Sequence, residues 1–580
     1  ARFQTQKVMQ IPSAVALLLA VAFSTTYGQM NNPCCSFPCM NRGVCMLKSS
    51  DYSYTCDCTN TGYTGKNCDQ AEFNTWVSGI FMQDPVEFQK SLIKDDLQWE
   101  INNNNPEIKK LYMQTMYKMS AKPFEIPPRF SSDSPYLTMD SYYNKSNYAR
   151  MLPSVPGYCP TPMGMAGRRN LPDTEDIVEK LFQRRRFVPD ARNTNVLFTS
   201  FSEHLHYGLF NNHMTSGQRR PAGMDASHIY GPDKRWRDAL RSFTNGKLRM
   251  RVVNGEEWPL SEAQTGLPMT FVSGTTADDR FSLGQRDFGL NPHHIMMGTI
   301  WMREHNRVCD VLKDANPGWN DEQLYQTARL TVTAELLKMV AEEYTKYMYQ
   351  TKFQPKFDPS MMYDQQWQYQ NERFMELDFL PEVISGLKPD MFNIGQDAYR
   401  ASDWRFNSSI VPNYGLYNLV NSAVSQKAAK FGARNYPSES GGALRRIIAR
   451  TRELRMPSFN AYRKHFGMKP YVSFMDMAGD NELAKELEGL YGDVDGVEFV
   501  TGLLVEGHLD GGLLAPTLAE ISGSYIFKTM MSSPLASPLW WKPSTFGGES
   551  GLNVIKEATI EKLFCQNMKR CPPIGFTVPN

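Results

Sequence analysis

The sequence has almost no excess of charge: 62 Lys and Arg stand against 61 Asp and Glu, with no basic face or long run of one sign. Nothing in it favours nucleic acid as a partner. It also lacks internal repeats, low-complexity tracts and a glycine-rich nucleotide loop, and strand-like alternation is scarce. The apolar run Val15-Ala16-Leu17-Leu18-Leu19-Ala20-Val21-Ala22-Phe23 is too short to span a bilayer comfortably. With the small residues that follow, ending near Tyr27-Gly28-Gln29, it reads as a signal peptide over 9–28, the alternative being an N-terminal anchor. Histidine is the scarcest group that matters, nine in 580 residues and none between His305 and His465.

Cysteine, by contrast, is concentrated. Of 11 cysteines, Cys34, Cys35, Cys39, Cys45, Cys56, Cys58 and Cys68 crowd into one short stretch, which places the chain in an oxidising compartment. The sequons Asn144-Lys145-Ser146 and Asn407-Ser408-Ser409 agree, making Asn144 and Asn407 candidate glycosylation sites. The spacing Cys34-x4-Cys39-x5-Cys45-x10-Cys56-x-Cys58-x9-Cys68, with Gly62-Tyr63-Thr64-Gly65 before the last cysteine, resembles an EGF-like module over 31–69. Spacing alone leaves the connectivity open. The resemblance implies Cys34–Cys45, Cys39–Cys56 and Cys58–Cys68. Cys35 then needs an outside partner, for which Cys159 is the candidate, while Cys565 and Cys571 can close a small loop and Cys309 is left as a buried thiol. So small a segment cannot bury enough apolar surface to fold unaided, and the bridges replace a core.

Residues 70–120 break into short helices. Phe73, Trp76, Val77, Ile80 and Phe81 form one apolar stripe, and Asp84-Pro85 and Asn105-Pro106 read as N-cap and N1 pairs opening two more helices, the second carrying Ile108, Leu111, Tyr112, Met116 and Met119. Such helices either pack on a larger body or lie on one leaflet of a membrane. Beyond them, helical patterns cover about 195–211, 293–314 and 321–350. The expected fold is mainly α, with the disulfide module, the short amphipathic helices and a large helical domain over 121–580 in that order.

Thr299-Ile300-Trp301-Met302-Arg303-Glu304-His305-Asn306-Arg307-Val308-Cys309-Asp310 resembles the animal haem peroxidases, and specifically the cyclooxygenases. Ser227-His228-Ile229-Tyr230-Gly231, His465-Phe466-Gly467-Met468-Lys469-Pro470-Tyr471, Leu490-Tyr491-Gly492-Asp493-Val494-Asp495 and Ser544-Thr545-Phe546-Gly547-Gly548-Glu549 extend the match in order along the chain. The resemblance implies a haem-peroxidase-like body that binds haem b and converts a polyunsaturated fatty acid, arachidonate, to prostaglandin H2. It implies a homodimer, helices over 70–120 seated in one leaflet of the endoplasmic-reticulum membrane, and a bridge from Cys35 to the body. The terminal Phe576-Thr577-Val578-Pro579-Asn580 is not a KDEL-like tail, so secretion stays open beside lumenal retention.

The family's chemistry requires an imidazole below the haem, a second above it to move the peroxide proton, and a tyrosine that becomes the radical. Here Ile384 falls at the proximal-histidine position and Pro381 at the radical-tyrosine position, between the matching Met375-Glu376 and Pro389-Asp390. On the distal side Tyr207 takes the catalytic histidine's place and Glu203 that of its neighbouring glutamine. His204 aligns with a family histidine that is not catalytic, and His206, one residue from 207, points about 100° away on a helix. In the fatty-acid channel, the arginine for the substrate carboxylate aligns with Ser120, its tyrosine partner with Thr351, and the serine acetylated by aspirin with Ile526; Lys118, Lys122 or Arg129 could supply another cation. His228, His305 and His465 sit in scaffold motifs and read as hydrogen-bonded structural residues; His293 and His294 open a helix and read as capping or solvent-facing. Two functions follow: a non-catalytic relative serving binding or dimerisation, which these losses favour, or an active synthase and peroxidase using displaced haem ligands such as a Tyr207 phenolate.

Overall fold

The computed structural model describes residues 32–48, 51, 53–59, 61–73, 84–94, 97–121, 129–131, 137–138, 149–210, 224–271, 274–276, 278–359, 374–377, 379–531 and 533–579. The signal-peptide segment 9–28, Lys122 and Asn144 lie outside them. Five disulfides are closed: Cys34–Cys45, Cys39–Cys56, Cys58–Cys68, Cys35–Cys159 and Cys565–Cys571, with Cα separations of 5.1 to 5.7 Å. Cys309 is the free cysteine and is buried.

The N-terminal module is two small ladders held by sulfur. Strand β1 (Val44–Leu47) pairs antiparallel with β2 (Tyr54–Asp57), setting Cys45 opposite Cys56, and β3 (Tyr63–Thr64) pairs with β4 (Gln70–Ala71). Among the described residues of this module the buried apolar side chains are Cys35 and Cys68, so the bridges do the work of a core. The module is tied to the body by Cys35–Cys159 and by backbone hydrogen bonds from Met165 N to Cys35 O and from Asn41 N to Lys464 O. Gly164, at φ +100°, permits this contact: a Cβ there would lie 1.9 Å from the Cys35 carbonyl oxygen.

Three short helices follow, α1 (Pro85–Ile93), α2 (Leu97–Asn104) and α3 (Pro106–Ala121). Asp84 accepts from Val86 N and Asn105 from Glu107 N and Ile108 N, the caps expected from the Asp-Pro and Asn-Pro pairs. These helices have a packed side and an exposed side, and the packed side agrees with the reading that they rest on the body. Trp99 is buried against Tyr112 and Phe353, with its indole N–H on Ser91 O, and so packs on the body. Leu97, Ile101, Ile108 and Leu111 are exposed. Of the stripe from Phe73 to Phe81, only Phe73, also exposed, is within the described residues. Among the described residues no helix is long and apolar enough to cross a membrane.

The body is built round α5 (Pro292–Ala315), capped by Asn291, whose side chain accepts from His293 N. Ile295, Met296, Ile300, Trp301, Val308 and Leu312 are wholly buried and fall on every side of it, the pattern of a central helix. Against it pack α4 (Val196–Phe210), α6 (Asp321–Met339) and α8 (Ile410–Ser425), while the six-residue α7 (Leu380–Ser385) lies on α4. The single helix expected over 321–350 is interrupted: α6 ends at Met339, and a π-turn, Val340–Tyr344, carries the chain into Thr345–Met348. The long α9 (Pro516–Met531) packs on α3 and α1. Near it Arg463 Nη1 meets Glu506 Oε1 at 2.6 Å, both side chains buried; the Tyr471 and Thr517 hydroxyls donate to the same oxygen, and Thr517 N to Oε2.

Two stability predictions follow from these ties. Replacing Cys35 and Cys159 together by alanine opens a loop of 124 residues, and the chain-entropy description puts the loss at up to about 5 kcal/mol; denaturant unfolding of the double variant measures it, and an unchanged midpoint would refute the tether. Arg463→Met leaves Glu506 as a buried unpaired charge and should cost about 3–5 kcal/mol. Arg463→Met with Glu506→Gln should recover most of that in the same assay.

Candidate functional site

Helix α4 is unusual in burying Ser202, Glu203, His204 and His206 on one apolar rod. A buried carboxylate must be paired or neutralised. Glu203 is paired twice: Lys388 Nζ lies 2.6 Å from Oε1 and His294 Nε2 lies 3.3 Å from Oε2. Burial by itself would raise this carboxyl, but the Lys388 ammonium and the His294 ring outweigh it and hold the group at about 2. The anion on α4 is thus fastened to the turn after α7 and to the first turn of α5.

That turn is itself firmly placed. Arg184 donates to the backbone oxygens of Gly386 and Lys388 and pairs with Asp390 at 2.5 Å. Tyr436 donates to Val383 O, and its ring runs so close under Gly386 that a Cβ there would lie 2.4 Å from it. Leu380, Val383 and Leu387 are buried, and Ile384 packs half-buried against the same core. Pro381 occupies the first turn of α7, where its missing N–H costs nothing. For Pro381 and Tyr207 the backbone is described and the side chain is not.

The histidines divide differently from the sequence reading. His293 and His294 are buried, 2% and 5% exposed, rather than capping or facing solvent: Asn291 supplies the cap, the His293 ring lies against Trp404 and Phe392, and His294 reaches Glu203. His206 Nδ1 is 2.6 Å from Ser202 O, turned onto its own helix. His305 behaves as a scaffold residue, bonded to Tyr230 OH and Gly246 O at 2.9 Å each. His228 departs from the hydrogen-bonded expectation, because its Nε2 has no partner among the described residues and its ring stands edge-on to His204. His465 lies edge-on to Phe466. Burial pushes His206, His228 and His305 down to about 4 and His293 and His465 to about 3, so none carries charge at neutral pH.

The resemblance would put haem b between α4 and α7, ligated from position 384. The residues present do not fit it. Ile384 offers no ligand, α7 rests directly on α4, and the Glu203–Lys388 pair joins the two sides across the layer a porphyrin would need.

The positions that the resemblance assigns to the fatty-acid channel lie along α3, α9 and the segment after Met348. Ile526, in α9, is wholly buried, and Thr351 is buried with its hydroxyl accepting from Phe353 N. Ser120 and Lys118 fall in α3 and Arg129 in a strand, Arg129–Ser131, with side chains outside the description. Two residues missed in the sequence stand here. Tyr349 OH reaches Ser522 Oγ at 3.3 Å and crowds Gly523, and Glu520, pushed up to about 7 by burial, accepts from Gln89 of α1. Lys388 was also missed: a lone lysine between Leu387 and Pro389 has no periodicity or motif, and its acidic partner is remote in the chain.

Comparison with known proteins accounts for this architecture. The animal haem peroxidase family model matches residues 218–574. Prostaglandin G/H synthase 1 of Rattus norvegicus is 39% identical over 557 residues, covering 95% of this chain and 92% of its own length. Prostaglandin G/H synthase 2 of Gallus gallus is 39% identical over 580 residues, covering 99% and 94%. Two solved structures share the fold at low identity: peroxidase A of Dictyostelium discoideum, with a TM-score of 0.61 at 15% identity over 79% of this chain and 96% of its own, and Oryza sativa fatty acid alpha-dioxygenase, with 0.60 at 14% over 85% and 94%. With the disulfide-stapled module, the α5 core and the ordered motifs, these matches establish that the chain belongs to the prostaglandin G/H synthase, or cyclooxygenase, family of the animal haem peroxidases.

Proposed function

We propose that this chain is a non-catalytic cyclooxygenase-family protein, in which the haem-dependent oxygenase and peroxidase chemistry has been replaced by a binding or dimerisation role. The observation that carries the reading is the direct seating of α7 on α4, barred by Glu203–Lys388, with an aliphatic side chain at 384. Without an imidazole there, nothing tunes iron for O–O cleavage, and a proline at 381 cannot carry a radical. Glu203 cannot shuttle a peroxide proton at neutral pH, since its carboxyl is held at about 2.

What remains suits a protein that binds. The chain divides into an EGF-like module over 31–69, monotopic membrane helices over 70–120 and the peroxidase-like body over 121–580. Leu97, Ile101, Ile108 and Leu111 are the residues that would enter one leaflet of the endoplasmic-reticulum membrane, each worth a few kcal/mol at most when buried in lipid. A homodimer, a lumenal or secreted location and glycosylation at Asn144 and Asn407 complete the reading. Asn407 is partly exposed, with Ser409 Oγ on its Oδ1.

Haemin titration of the purified full chain should give no sharp, saturable Soret band, and arachidonate should then cause no oxygen uptake. Stoichiometric haem followed by oxygen uptake would establish the synthase instead. Placing histidine at both Tyr207 and Ile384 should not restore binding while Lys388 remains.

A pH prediction comes from the same pair. Because the folded carboxyl of Glu203 lies below its ordinary 4.5, its contribution is present above about 4.5 and is lost as pH falls towards about 2. Thermal unfolding across that window should therefore fall less steeply for Glu203→Gln than for the wild type; parallel slopes would show that Glu203 is not the group responsible.

A further inference from the structure

The pair that closes the layer between α4 and α7 is lopsided in a useful way. Glu203 is buried from every side, its two oxygens divided between Lys388 and His294, whereas the Lys388 side chain is 25% exposed and reaches inward from the rim. The backbone of Lys388 does not depend on that reach. Arg184 holds the Gly386 and Lys388 carbonyls and the Asp390 carboxylate, and Tyr436 holds Val383 O beneath α7. The frame around position 388 is therefore built without the ammonium, and the ammonium is the bar laid across it.

We propose that Lys388 is the specificity-determining residue of this cleft: its ammonium, seated on Glu203 beside His294, occupies the layer that a flat tetrapyrrole would need and so excludes that class of ligand from the fold. The proposal rests on the reading of the α4–α7 layer as closed, and it goes further by assigning the exclusion to one side chain rather than to the missing imidazoles. Exclusion by loss of ligation would leave a slot that still admits a metal-free porphyrin. Exclusion by a buried ion pair would not, because entry would strand a charged carboxylate in an apolar wall.

Metal-free protoporphyrin IX separates the two, since it needs no iron ligand. The full chain is prepared as wild type, Lys388→Arg, Lys388→Ala/Glu203→Gln and, to preserve volume, Lys388→Met/Glu203→Gln. Both double variants remove the two charges together, so neither leaves a lone buried ion, and circular dichroism with thermal melting confirms that they fold. The expected result is saturable one-to-one binding of protoporphyrin by a double variant, about tenfold or more tighter than by the wild type, by fluorescence titration. Lys388→Arg should stay closed like the wild type. If a folded double variant binds no better than a wild type that itself takes up neither protoporphyrin nor haemin, Lys388 is not the bar, while the non-catalytic reading stands. If the wild type binds protoporphyrin as tightly as the variants, the layer is open and the assignment to Lys388 fails. Haemin uptake with a Soret band by the wild type would overturn the non-catalytic reading as well.

Discussion

A carboxylate in the middle of a helical core is tolerable only if a cation meets it there. At Glu203 that requirement organises the centre of the molecule. The partner, Lys388, arrives from the turn after α7, and the second contact, His294, from the first turn of α5, so one anion gathers three segments far apart in the chain. Desolvation works against the charge, and the Lys388 ammonium and the His294 ring together more than restore it, which is why the carboxyl sits at about 2 rather than rising as an isolated buried acid would. An ion pair of this kind is weak evidence for high stability, because replacing both partners by apolar groups can be neutral. Its consequence is steric: the Lys388 ammonium reaches from the turn after α7 across to Glu203 on α4.

The rest of the body is packed and hydrogen-bonded around that pair. Around α5 the core is continuous, the Arg463–Glu506 pair and its Thr517 and Tyr471 partners are complete, and the His305 ring is satisfied on both nitrogens. Interactions that hold the peroxidase-like fold together are thus separate from the α4–α7 layer, on which the proposed loss of chemistry rests. A fold carries function only through the residues of a site, so 39% identity to prostaglandin G/H synthases establishes the family and leaves the chemistry to the site itself.

Much of the architecture was legible beforehand because it rests on local signals. Cysteine spacing specified a stapled module, Asp84-Pro85 and Asn105-Pro106 specified helix starts, and apolar periodicity found α4 and α5 to within a residue or two at each end and the start of α6. The errors lie where local signals are silent. The helix over 321–350 gives no notice of its π-turn at Val340–Tyr344, and two adjacent histidines at a helix start look solvent-facing until Trp404 and Phe392 close over one and Glu203 meets the other.

The sequence by itself determined the family and the cysteine framework, since each is a matter of which residue stands at which position. Only the tertiary structure decided what meets the buried Glu203. Lys388 and Glu203 carry no motif and no periodicity, and their attraction exists only once folding has removed water from between α4 and α7. Low dielectric and proximity make that contact, and neither can be read from a chain still in solvent.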